Sequence, residues 1–360
     1  MSSPLREVLE GLGARYISAE PSAAPADFGD VLAEYAAARR SAAVVDRSAL
    51  SKIELRGRDR AKFLHNLCTN DIKALAAGQG CEAFFTTVQG KILAHVRVLA
   101  GSDSHWIDSI PGASATLIAH LDRYLITEKV ELADRTNEFA QILLVGKRAS
   151  EVLVAAIGAS APELQHLGHL EVSVGGMAAQ LIRDESLGTN AFEFRVAARL
   201  AADLWRRLWQ AGQPLGLRPI GEHAYEMVRV EAGLPVYGLD IDESNFPQEV
   251  GRDKLAISFT KGCYLGQETV ARIDALGHVN RHLVGLLIPD DREPPDRAAA
   301  ISSGGKTVGN VRSAAFSPAM NCAIALGYVR RGLESPGTEL LIESQGKELR
   351  AVVHVLPFLK

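Results

Sequence analysis

Eight consecutive residues gather the most reactive chemistry in the chain: Lys261-Gly-Cys-Tyr-Leu-Gly-Gln-Glu268. Cys263 would act as a thiolate, the nucleophilic and metal-binding form of cysteine. Lys261 lies two residues away, and the spacing of Val270, Ile273 and Leu276 predicts a helix from Gln267 to Leu276 whose positive end faces the thiol. Both would stabilise an anion at Cys263. Gly262 and Gly266 allow close backbone approach by a ligand or another chain. Gln267 and Glu268 offer hydrogen bonds at the helix start, and Arg272 can pair with Glu268 one turn on. The same residues also suit a buried, inert cysteine in a tight turn.

A second constellation runs Arg229-Val-Glu-Ala-Gly-Leu-Pro-Val-Tyr-Gly-Leu-Asp-Ile-Asp242. On a helix, residues two apart point to different faces, so Arg229 and Glu231 do not belong to one solvent stripe. Gly233 and Pro235 then stop the helix, and Tyr237-Gly238 begins a loop. A guanidinium beside a carboxylate and a tyrosine suits a flat heteroaromatic or carboxylated ligand. A structural ion pair at a helix end would use the same residues. Two glycine-rich stretches carry no such chemistry. Ser302-Ser-Gly-Gly-Lys-Thr307 lacks the first glycine of a phosphate loop, since position 300 is Ala, and reads as a hairpin turn. Gly11-Leu-Gly13 lacks a third glycine at Tyr16 and reads as a helix end.

The elements that must position these residues are mixed. Lys52-Ile-Glu-Leu-Arg56 alternates like a half-buried strand, and Asp59 is placed to cap a helix bearing Phe63, Leu64 and Leu67. The runs 83–88 and 92–99 flank Gln89-Gly-Lys91 as a hairpin. Leu200, Leu204 and Leu208 predict a helix from Val196 to Ala211, ended by Gly212 and Pro214. Without a steady strand–helix–strand rhythm over 40–275, an α+β class is expected rather than a doubly wound sheet. From Leu283 onward, short strands split by Gly, Pro and Ser read as a small antiparallel β-barrel. The expected organisation is an N-terminal helical arm at 1–45 with a linker composition at 21–25, a body of two subdomains at 46–278, and the barrel at 279–360.

Composition excludes several classes. A net charge of −4 gives no chain-wide basic field for nucleic acid. Cys68, Cys81, Cys263 and Cys322 are widely spaced, so no disulfide framework, structural zinc site or cluster-binding loop is expected, and no metal site. The first residues lack the apolar core of a signal peptide, and no apolar run reaches the length of a membrane span. The expectation is cytoplasmic and membrane-free.

The stretch from Arg229 resembles the motif of the folate-dependent aminomethyltransferase family, the T-protein of glycine cleavage. Asp46-Arg-Ser-Ala-Leu50 and Phe63-Leu-His-Asn-Leu-Cys-Thr-Asn-Asp-Ile72 are similar to the family's N-terminal signatures, and Phe192-Glu193 to its Phe-Glu pair. The resemblance extends over residues 30 to 355. It implies a T-protein-like folate-binding body with a C-terminal barrel. It also implies tetrahydrofolate, or a one-carbon derivative, held by Glu193 and Arg229 with Tyr237 lining the site. One departure matters for mechanism. The family's Gly-x-Ile-x-Asp-Asp strand stands here as Gly90-Lys-Ile-Leu-Ala94-His95, without the carboxylate that orients folate and assists amine chemistry. The family's Thr-Gly-Glu-x-Gly turn is also altered, to Leu187-Gly-Thr-Asn-Ala191. Both changes argue against ordinary aminomethyl transfer.

The segment Lys261–Glu268 is similar to the hallmark of YgfZ-type folate-binding proteins, a sister branch of the same superfamily. That resemblance implies a tetrahydrofolate-binding protein supporting assembly or repair of iron–sulfur enzymes, tRNA-modifying ones included. Cys263 would be the working group, assisted by Lys261, Gln267 and Glu268, with iron–sulfur proteins or their assembly factors as partners. Two alternatives stay open: an aminomethyltransferase or related demethylase using His95 in place of the aspartate, and a non-catalytic scaffold.

Overall fold

The computed structural model describes residues 3–18, 20 and 23–359, so Pro21 and Ser22 of the expected linker lie outside the described residues. The chain forms two compact units. The first comprises residues 1–67, 71–83 and 96–225, and the second 68–70, 84–95 and 226–360. The barrel expected at 279–360 spans Arg281 to His354 and belongs to the second unit.

The first unit is built on a six-stranded sheet in the order Leu217–Pro219, Ala42–Asp46, Phe139–Val145, Ala191–Ala197, Met177–Arg183, His169–Val174. Only the pair 42–44 with 217–219 is parallel. The central strands are buried on one face by the helices Ala149–Ile157 and Ala201–Gly212, which bring Val152, Leu153, Leu204, Trp205 and Leu208 onto Ile142, Leu144 and Phe194. Gly212 is required there, because a Cβ would sit 2.4 Å from the Leu217 side chain. The antiparallel sheets and intermixed helices fit the α+β expectation.

Three local expectations need correction. The expected helix from Val196 begins at Ala201, because residues 191–197 complete a central strand whose pairing with 139–145 and 180–183 overrides helical spacing. The strand Ser51–Arg56 is buried at every position but Arg56 rather than half-buried, and as a central strand it pairs along both edges, with 104–109 and 131–134. Lys52 survives burial by donating to the Ser48 and Leu50 carbonyls at 2.8 and 2.7 Å, and Glu54 by pairing with Arg56 and Arg135. Asp59 does not cap the helix Arg60–Leu67: its carboxylate accepts from the Lys129 amide at 2.8 Å.

In the second unit six antiparallel strands close into a barrel, in the order 281–288, 322–330, 306–317, 300–303, 339–344, 347–354. Closure removes every free strand edge. Gly309 lets two strands meet, because a Cβ would stand 1.8 Å from the Tyr328 carbonyl oxygen. A separate core joins Phe84, Ile92, Ile241, Val250, Ile257, Tyr264 and Val270, with Tyr237 packed against it. Among the described residues no helix is long and apolar enough to cross a membrane.

Candidate functional site

Strand residues that sequence periodicity would place in an apolar core instead build a buried charge cluster in the first unit. Glu193, 2% exposed, lies on the strand Ala191–Ala197. Its Oε1 accepts from Arg97 Nη2 at 2.9 Å and from Gln141 Nε2 at 3.0 Å, and its Oε2 accepts from Arg97 Nη2 at 3.0 Å. Arg97 also reaches Asp108 at 3.0 Å and Asp184 at 3.2 Å. Arg195 holds Asp108 through Nη2 and stacks over the Trp106 ring. Burial opposes the charge on Arg97, but Glu193, Asp108 and Asp184 together raise its pKa and keep it a cation. Burial pushes the Glu193 carboxyl up, and Arg97 is the strongest influence holding it down. Three polar atoms of this cluster are buried without a partner: Gln141 Oε1 and Arg195 Nε and Nη1. Buried polar groups are normally satisfied, so such atoms mark a place where a bound group or water belongs.

Of these residues the sequence reading singles out only Glu193. It misses Arg97, Asp108, Gln141 and Arg195, although charged residues inside otherwise apolar strands are a usable signal.

Arg229 sits in the second unit, on the helix Glu222–Glu231, and is 1% exposed. Its Nε donates to Glu226 at 2.7 Å, Nη1 to the Leu234 carbonyl at 2.5 Å and to Asp240 at 2.8 Å, and Nη2 to Ser313 at 2.7 Å and to Glu226. These contacts match the five N–H donors of a guanidinium and tie the helix to the following loop and a barrel strand. Glu231 faces elsewhere and accepts from Ser317 Oγ at 2.5 Å. Tyr237 is half-buried against the Phe84–Tyr264 core, and burial raises its phenol pKa. Ala94 is buried where the family strand carries an aspartate, and His95 lies against the Phe84 ring with centroids 4.9 Å apart.

The motif at 261–268 is also in the second unit, where it knits three chain segments together. Lys261 is buried and donates to the Cys68 and Asn70 carbonyls at 2.7 and 2.8 Å. Thr69 Oγ1 donates to the Ala256 carbonyl at 2.6 Å, and Thr86 Oγ1 to that of Leu265 at 2.6 Å. Gly266, at φ +82°, precedes the helix Gln267–Leu276, and a Cβ there would meet the Thr87 carbonyl oxygen at 2.4 Å. Gln267 Oε1 accepts from the Tyr264 amide at 3.2 Å. Cys263 is exposed, and so is Glu268, which forms no ion pair with Arg272 among the described residues. Of the three apolar helix positions only Val270 is buried, while Leu276 is exposed. The ammonium of Lys261 therefore serves the backbone of 68–70 and Gly266 serves close packing, while Gly262 is exposed with nothing within 4 Å of where a Cβ would stand.

Comparison with known proteins decides the kinship. Residues 5–261 match the GCVT N-terminal domain, and residues 281–360 match the glycine cleavage T-protein C-terminal barrel domain. The chain belongs to the glycine cleavage T-protein family. An aminomethyltransferase of Nostoc sp. is 30% identical over 366 residues, covering 99% of this chain and 95% of that protein. One from Symbiobacterium thermophilum is 31% identical over 365 residues, covering 99% and 96%. The crystal structure of glycine cleavage system aminomethyltransferase T from Bartonella henselae superposes with a TM-score of 0.90 at 23% identity, covering 100% of this chain and 98% of that one, which shows a shared fold. Aminomethyltransferases of the T-protein family bind tetrahydrofolate. The expectation of an iron–sulfur support role, with iron–sulfur partners and tRNA modification, is corrected by these relatives, which are aminomethyltransferases along the whole chain. Its physical basis also weakens, since Lys261 turns its ammonium to backbone carbonyls and Gln267 its amide to Tyr264.

Proposed function

We propose that this chain binds tetrahydrofolate and acts as a folate-dependent transferase of the aminomethyltransferase type. The observation that carries the reading is full-length kinship to aminomethyltransferases, together with a buried carboxylate, Glu193, on the strand where the family's Phe-Glu pair stands. The donor set fits a folate ring. Glu193 and the unpartnered Gln141 Oε1 accept N–H groups, and the unpartnered Arg195 nitrogens offer donors to a ring carbonyl. Bound tetrahydrofolate supplies the ring nitrogens that accept a one-carbon unit. The protein's own part is to orient the ring through Glu193, exclude water and handle protons. Within the second unit Arg229 is a strut that fixes the loop bearing Tyr237 and Asp240.

With Ala94 in place of the family's aspartate, the strand Ile92–Ala100 offers His95 as the neighbouring side chain able to exchange a proton. The test has two arms. Calorimetric titration of tetrahydrofolate should show binding to the wild type and a loss of about ten- to a hundredfold in Glu193→Gln, the worth of a charged hydrogen bond. Methylenetetrahydrofolate formation from an aminomethyl-lipoyl carrier should depend on His95. Binding without any turnover would refute the transferase assignment and leave a folate-binding protein.

A further inference from the structure

Glu193 is the carboxylate on which the folate reading rests, yet it is already occupied. Both of its oxygens take hydrogen bonds from one guanidinium nitrogen of Arg97, at 2.9 and 3.0 Å. A guanidinium is a planar carbon bearing adjacent N–H donors, matched to a carboxylate. The 2-amino-4-oxopyrimidine edge of a pterin offers the same fork of adjacent N–H groups. Arg97 reaches the carboxylate through Nη2 alone, and a ligand edge with adjacent N–H donors would compete for the same acceptor.

The geometry also supplies a retreat for the arginine. The Arg97 side chain is 18% exposed where Glu193 is 2% exposed, so its route leads outward. Its second terminal nitrogen, Nη1, already holds Asp184, which is 11% exposed. Arg97 can leave Glu193 without becoming an unpaired charge. Behind it wait acceptor and donor atoms with no protein partner: Gln141 Oε1, on a side chain that is 0% exposed, and Nε and Nη1 of Arg195, which is 3% exposed. Gln141 and Arg195 share Asp108 Oδ2 as acceptor, at 3.0 and 2.6 Å, so they are neighbours. A ligand edge with adjacent N–H donors and a ring carbonyl satisfies Glu193, Gln141 and Arg195 together. Arg97 satisfies only the first.

We propose that Arg97 is a specificity-determining placeholder: it occupies Glu193 in the empty protein and yields it only to ligands of the 2-amino-4-oxopyrimidine class. This rests on the reading that Glu193 holds the folate ring. The displaced arginine lowers affinity for every ligand, and only those that fill all three partners recover the loss.

The experiment titrates tetrahydrofolate into the full chain as wild type, Arg97→Ala and Glu193→Gln, with and without low-millimolar guanidinium chloride. Arg97→Ala should bind about tenfold more tightly, since no competitor must be displaced. Guanidinium should reverse that gain by occupying the vacated position, and it should leave the wild type unaffected. Should Arg97→Ala fail to fold, Arg97→Lys keeps the charge without the fork and should also bind more tightly. Wild-type binding lost in Glu193→Gln, with folded Arg97 variants no tighter or insensitive to guanidinium, overturns the placeholder alone. Absence of binding in every form removes the folate reading, and the placeholder with it.

Discussion

Lys261 Nζ lies 2.7 Å from the carbonyl oxygen of Cys68, a residue that sequence order puts nearly two hundred positions away. It adds a second bond to Asn70 O at 2.8 Å and stands over the Tyr264 ring. A buried ammonium spent on backbone acceptors is a tether. Lys261→Met should therefore cost about 1–3 kcal/mol in urea unfolding, the penalty for stranded buried carbonyls. Alkylation of Cys263, followed by mass spectrometry across pH, should keep its wild-type profile. A marked slowing would show instead that Lys261 activates the thiol.

Gly266 gives a sharper mechanical test. At φ +82°, a methyl group on its Cα would stand 2.4 Å from the Thr87 carbonyl oxygen and 3.1 Å from the Gly90 Cα. Alanine therefore has neither the backbone conformation nor the room. Gly266→Ala should lose about 2 kcal/mol or more and loosen the helix 267–276 from the hairpin turn at 87–91. Hydrogen exchange of the Val270 amide would report it, and an unchanged protection factor would refute this packing role.

Lys52 predicts a pH dependence. It is fully buried, and burial pushes its pKa down from 10.5 to about 8, with Asp108 opposing. A depressed lysine pKa means the unfolded chain binds the proton more tightly, so burying the cation costs stability at every pH below 8. That cost is relieved as pH rises from 8 to 10.5, by up to about 3 kcal/mol. Chemical denaturation across this window should show stability rising from this group, and Lys52→Met should flatten the rise.

Arg229 separates a strut from a ligand contact. Removing a buried guanidinium that serves Glu226, Leu234, Asp240 and Ser313 should cost about 3–5 kcal/mol in Arg229→Leu, because Asp240 is left as a buried charge. Arg229→Lys should fall in between, since an ammonium cannot span the same four partners. A variant as stable as the wild type but unable to bind tetrahydrofolate would show a direct ligand role instead.

The barrel is legible in the sequence because Gly, Pro and Ser turns divide its successive strands, so local pattern and tertiary demand agree. The helix Gln267–Leu276 is legible to the residue for a similar reason, with glycine at each end. The charge cluster is not legible. Lys52, Arg97, Asp108 and Glu193 come from four strands, and nothing local shows that their charges meet. The partners of Lys261 and Arg229 are not legible for a related reason: chain neighbours suggest contacts, while folding supplies Cys68 O and Ser313 Oγ from distant segments.

The hairpin residues Phe84 and Ile92 share a core with Tyr264 and Val270. During synthesis these partners emerge only after some 180 further residues have been added, which at about 5–20 residues per second is roughly 10 to 40 seconds. Throughout that interval the nascent chain carries an apolar hairpin with nothing to cover it. Slowed elongation beyond residue 95 should lengthen this vulnerable stage.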